Sequence, residues 1–100
     1  MKVSKIVKCS ASWCSPCRVF AKAFHNIENR DEFKDIDFKS YDIEKDDEGQ
    51  RIATQHNVKS IPTTILFDEN DNVIYKIIGN VSEQDFANAI RNASKLDEEK

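Results

Sequence analysis

Cys14 and Cys17 are the residues of this sequence best placed to do chemistry. They stand in Ala11-Ser12-Trp13-Cys14-Ser15-Pro16-Cys17-Arg18, where an apolar run ends and a helical pattern begins. A thiolate is the nucleophile in disulfide exchange, so a reactive cysteine needs its charged form stabilised. A helix N-terminus offers unpaired N–H groups and a partial positive charge. That charge–dipole effect is worth about 0.3–1 kcal/mol, against about 1.36 kcal/mol for one pKa unit. The dipole alone therefore lowers a thiol by less than a unit. Hydrogen bonds from backbone N–H groups and from the Cys17 thiol must supply the rest. A spacing of i, i+3 on a first helical turn puts both sulfurs on one side. Cys14 then lies at the tip, the more exposed and more acidic thiol, and Cys17 lies one turn in. Pro16 falls where a first turn tolerates proline, and it stiffens the short ring that a Cys14–Cys17 disulfide would close.

The competing use of such a pair is metal binding. Zinc normally takes four ligands, and no second pair exists among the three cysteines. Cys9, Cys14 and Cys17 also match the start of a plant-type iron–sulfur pattern, but a fourth cysteine is missing. Cys9 lies inside an apolar strand pattern and reads as a small buried hydrophobe. No metal and no bound cofactor are expected. His25 and His56 read as solvated or helix-end residues. The acidic run from Asp42 to Glu48 reads as a solvated face without function.

The elements that must position the pair follow from periodicity. Val3 to Ala11 alternates as a strand, with Val3, Val7, Cys9 and Ala11 on one face and Ile6 and Lys8 on the other. Pro16 to Asn29 reads as a helix with an apolar stripe of Val19, Phe20, Ala23, Phe24 and Ile27. Asp37 to Ile43 is a second strand and Asp46 to His56 a second helix, capped by Asp46 or Asp47 and ended by a left-handed Asn57. Ile61-Pro62 is a turn. Thr63 to Phe67 and Asn72 to Ile78 form a hairpin across the turn cluster from Asp68 to Asn72. Gly79 and Asn80 end it. Ser82 caps a last helix that buries Phe86, Ala89, Ile90 and Ala93. The fold class is α/β, in the order β-α-β-α-β-β-α, with a four-stranded mixed sheet covered by helices on both faces. Residues 1–100 are expected to form one domain, with 95–100 a frayed charged tail.

Composition restricts the function classes. The 100-residue chain is 39% hydrophobic and 33% charged, which provides for one core and a solvated surface. A net charge of −3 argues against a nucleic-acid binder. No run approaches the roughly 20 apolar residues of a membrane span. Lys2, Lys5 and Lys8 interrupt the first ten residues, so no secretory signal is read there and a cytoplasmic location is expected.

Trp13-Cys14-Ser15-Pro16-Cys17-Arg18 resembles the active-site motif of the thioredoxin family, tryptophan-cysteine-glycine-proline-cysteine-lysine. Ser15 stands in place of the glycine and Arg18 in place of the lysine. Ile61-Pro62-Thr63 resembles the family's cis-proline loop, and Gly79 its glycine after the last strand. The resemblance covers residues 3–94 and lacks the family's first strand and helix. It implies a thioredoxin-like fold and a protein-disulfide reductase. In that scheme Cys14 attacks, Cys17 resolves, and Trp13, Ser15, Pro16, Ile61, Pro62, Thr63 and Gly79 shape the substrate groove. The implied partners are protein disulfides and a thioredoxin reductase or similar electron donor, with the chain acting as a monomer. Lys8 occupies the position of the family's buried aspartate, so Lys8 and Arg18 are candidates for tuning the site. Asp42 is one possible partner for the Lys8 ammonium. Two rival readings fit the same residues: a glutathione-dependent glutaredoxin-type enzyme, and a non-catalytic binding module using the same groove.

Overall fold

Ile6 and Val7 are neighbours in the chain and point into different cores, because a strand sends successive side chains to opposite faces. A computed structural model describes residues 2–98. It contains β1 (Lys5–Ser10), α1 (Ser15–Glu28), a 3-10 turn (Asp31–Phe33), β2 (Asp37–Asp42), α2 (Asp47–Gln55), β3 (Thr63–Phe67), β4 (Val73–Ile78) and α3 (Glu83–Glu98). The sheet runs β2-β1-β3-β4. β1 pairs parallel with β2 and antiparallel with β3, and β3–β4 is an antiparallel hairpin. The expected element order, mixed sheet and hairpin are all present.

One face of the sheet buries Ile6 and Leu66 against Phe20, Phe24 and Ile27 of α1 and Phe86 and Ile90 of α3. The other face packs Val7, Cys9, Ile65 and Phe67 against Ile52 of α2 and the nearby Val58. Helices therefore cover both faces. Full burial of each Phe, Leu or Ile side chain contributes about 1.5–3 kcal/mol. Gly49 allows α2 to seat closely: a Cβ there would lie 2.6 Å from the Asp42 carbonyl oxygen.

The structure corrects several sequence-based expectations. β1 is shorter than Val3–Ala11. Val3 precedes it and packs on the Ile6 side, because strand alternation no longer governs it. Val19 is 63% exposed and lies outside the α1 stripe. The turn at Asp31–Phe33 was not expected, and it buries Phe33. α3 runs past Lys95 to Glu98, a stretch with no Gly or Pro to interrupt it; residues 99–100 of the expected tail lie outside the described residues. Asn57 adopts φ 55 after α2, as expected of its ending residue.

Candidate active site

β1 delivers the chain to Ala11, and the backbone turns there as Cys14 N–H donates to the Ala11 carbonyl at 3.1 Å. Cys14 is the N-cap of α1, with extended backbone (φ −88, ψ 109). Its Sγ takes the place of a capping oxygen and accepts the Cys17 N–H at 3.2 Å. Cys14 and Cys17 are joined as a disulfide with Cα atoms 5.2 Å apart. The spacing thus closes the short ring that the sequence suggested. Cys14 was expected to be the more exposed sulfur. The two residues are instead equally covered in the disulfide, at 4% and 3% exposure, because Ala11 and Ile61 pack around both. What distinguishes Cys14 is its place at the cap, receiving the N–H bond.

A second loop faces the pair. The Ile61–Pro62 peptide is cis. Cys14 Sγ lies 3.8 Å from the Ile61 carbonyl oxygen. The Gly79 N–H donates to the Pro62 carbonyl at 2.8 Å, and Gly79 has φ +92, a conformation that favours glycine. These contacts bring together Cys14, Cys17, Ile61, Pro62 and Gly79. Thr63 is buried behind the loop, and its Oγ1 donates to the Ser60 carbonyl at 2.6 Å, so it supports the loop from beneath. Ser15 and Pro16 are exposed on the first turn of α1.

Trp13 is 62% exposed, on the rim. Its indole Nε1–H donates to Glu44 Oε1 at 2.9 Å. Asp42 Oδ2 accepts the Ser12 N–H at 3.2 Å, and its Oδ1 accepts the N–H groups of Glu44 and Lys45 at 2.8 and 3.0 Å. The bond from Glu44 N–H, with those from Lys45 and Ser12, holds the Asp42 carboxyl below the usual carboxylate range. The acidic run was read as a solvated face, yet Asp42 and Glu44 tie the redox turn to the β2–α2 loop. The sequence held one partial signal, because an aspartate at a strand end commonly bonds the N–H two residues on; the register that sets Asp42 beside Ser10, just before the turn, is seen only in the structure.

Lys8 is 6% exposed and in register with Ser40 and Thr64. Its Nζ sits 4.8 Å from the Phe24 ring centroid. Phe24 lies two turns of α1 beyond Cys17, and the ammonium rests against its ring. Burial pushes its pKa down, opposed in part by the Glu28 carboxylate. Asp42, a possible partner from sequence, is occupied by backbone N–H groups, and among the described residues Lys8 forms no ion pair. Beside it, Thr64 Oγ1 is buried without a hydrogen-bond partner. Cys9 is a buried free thiol on the α2 face, and burial pushes its pKa up to about 11. No cluster of metal-ligating side chains occurs among the described residues.

A disulfide-forming pair at a helix N-terminus, opposed by a cis-proline loop on a four-stranded mixed sheet, defines the thioredoxin-like class of dithiol–disulfide proteins. The Thioredoxin family profile matches residues 1–92. The chain is 34% identical over 68 residues to a thioredoxin of Aspergillus fumigatus, covering 68% of this chain and 59% of that one. It is 39% identical over 74 residues to a thioredoxin of Arabidopsis thaliana, covering 74% of this chain and 51% of that one. The matched segment thus spans between half and three-fifths of those relatives' lengths. The fold superposes on the crystal structure of Malassezia sympodialis thioredoxin with TM-score 0.77 at 21% identity, covering 89% of this chain and 73% of that one. The chain belongs to the thioredoxin family.

Proposed function

We propose that this chain is a thiol–disulfide oxidoreductase that reduces disulfides in other proteins. The observation that carries the reading is the Cys14–Cys17 disulfide itself, at the N-terminus of α1 with Cys14 Sγ accepting the Cys17 N–H. In the dithiol state that N–H and the helix N-terminus favour a Cys14 thiolate. The thiolate attacks one sulfur of the partner's disulfide. That S–S bond breaks, and the partner's other sulfur leaves as a thiolate and takes up a proton. Cys17, having lost its own proton, attacks Cys14 Sγ. The mixed disulfide breaks, the partner's second sulfur leaves and is protonated, and Cys14–Cys17 closes. Two electrons pass from the dithiol to the partner. With a lysine in place of a carboxylate at position 8, the Cys17 proton goes to water or to the departing sulfur.

Trp13, Ser15, Pro16, Ile61, Pro62 and Gly79 form the contact surface for an extended partner segment, with Thr63 behind it. The cycling cysteines need no bound cofactor. A flavin-dependent thioredoxin reductase or similar donor restores the dithiol. The site is complete within one chain, consistent with a monomer. A reducing compartment such as the cytoplasm suits the free thiol of Cys9. No helix among the described residues is long and apolar enough to cross a membrane. The test is reduction of insulin disulfides with each electron donor in turn. Turnover supported by thioredoxin reductase is expected. Turnover with glutathione alone would reassign the chain to glutaredoxin-type chemistry, and no turnover with any donor would leave a binding module.

A further inference from the structure

Ser15 and Arg18, the two departures from the family motif, are bonded to each other. Arg18 Nη2 donates to Ser15 Oγ at 3.1 Å, and Nη1 donates to the Ser12 carbonyl at 2.9 Å. The Ser12 N–H is held in turn by Asp42 at 3.2 Å. The stretch between Ser12 and Arg18 contains both cysteines, so the guanidinium closes an outer ring of hydrogen bonds around the inner ring of the disulfide. A lysine at this position carries a point charge and cannot span two acceptors with a planar fork, whereas arginine can. A glycine at position 15 would offer no side-chain acceptor.

We infer that Arg18 is a positioning residue whose fork, acting through Ser12 and Ser15, braces the turn in its ring-closed shape and biases the pair toward the disulfide. The inference rests on the redox reading above. The brace is complete in the disulfide state, and reduction lets the turn relax away from it. A bare positive charge predicts the opposite bias, because a cation beside the motif stabilises the thiolate and with it the dithiol. Variants that keep the charge and loosen the brace therefore separate the two effects, since the charge alone predicts no change in them.

The experiment equilibrates the full chain in glutathione buffers, where two glutathione thiols and the protein disulfide exchange with one glutathione disulfide and the protein dithiol. The dithiol fraction is trapped by alkylation and read by mass. Ser15→Ala and Arg18→Lys both keep the site's charge and weaken the brace. Each is expected to shift the equilibrium toward dithiol by about two- to tenfold, the range for losing one or two surface hydrogen bonds. The double variant should shift less than the product of the two, because both residues serve the same brace. Unchanged partition in both single variants, or a shift toward disulfide, would overturn the inference. Failure of the parent chain to interconvert at all would overturn the redox reading itself, and the two failures are distinct.

Discussion

Phe20, Phe24 and Phe86 meet beneath α1 and α3 with ring centroids 5.3–6.2 Å apart, while the turn around Cys14 is held by a set of directional hydrogen bonds at its surface. Both regions lie at α1, the first along its length and the second at its N-terminus. Apolar packing is non-directional and scales with area, so the core sets how stable the chain is. Hydrogen bonds accepted by Asp42 and Glu44 and donated by Arg18 bury little area and fix angles, so they set where the sulfurs sit. Stability and redox geometry are thus supplied by different residues, and substitutions should separate them.

The largest effect is expected in the core. Phe86→Ala should cost about 3–5 kcal/mol of stability, measured by urea unfolding, while the folded fraction keeps its parent redox equilibrium. Gly49→Ala acts on the turn's anchor, where α2 seats against the end of β2. Its Cβ would meet the Asp42 backbone oxygen at 2.6 Å, so α2 or the β2 end must shift. A cost of about 1–3 kcal/mol is expected, together with a change in Trp13 fluorescence, since Asp42 and Glu44 move with the strand end. Phe86→Ala should leave that fluorescence alone until the chain unfolds.

Lys8 sharpens the comparison because it places a charge in the apolar region. Its pKa is lowered in the fold, so between that value and the ordinary 10.5 the unfolded chain binds more protons and stability rises with pH. Lys8→Met should therefore gain stability near neutral pH, with the gain shrinking toward pH 10 in parallel unfolding curves. A loss of stability at neutral pH would show that the cation–π contact with Phe24 outweighs desolvation.

The smallest effect belongs to Asp42. Its folded pKa is depressed, so its contribution is present above the ordinary carboxylate range and is lost as pH falls through the folded value. Trp13 fluorescence should change over that acidic interval in the parent chain and change less in Asp42→Asn. An identical acid transition in both would show that another carboxylate governs the turn.

The two regions also differed in how legible they were in the sequence. Period-two alternation around Ile6 and Val7 located both faces of the sheet, and helical spacing found Phe20, Phe24, Phe86 and Ile90, because burial of that kind leaves a periodic trace. Cys14 and Cys17 were legible from residue type and spacing, whereas Ile61–Pro62 read from its residues only as a turn and was set opposite the cysteines by the resemblance to the thioredoxin family. Val19 broke the pattern: it sits two residues past Cys17 and is largely exposed, and periodicity alone cannot say where the covering layer ends. The brace and the Asp42 tie were not read because they run through the peptide groups of Ser12, which has no distinctive side chain. The contact of Lys8 with Phe24 also escaped prediction, since a long stem can carry its ammonium to several places along α1.

The central claim is that Cys14 attacks and Cys17 resolves. It is tested most directly by mixing reduced Cys17→Ser and reduced Cys14→Ser variants with a disulfide-bonded protein substrate, quenching with acid, and weighing the products by mass spectrometry. Cys17→Ser should accumulate a mixed disulfide through Cys14, because the resolving thiol is absent. Cys14→Ser should form little or none. Accumulation of the adduct on Cys14→Ser through Cys17, or normal turnover by Cys17→Ser, would contradict the assignment.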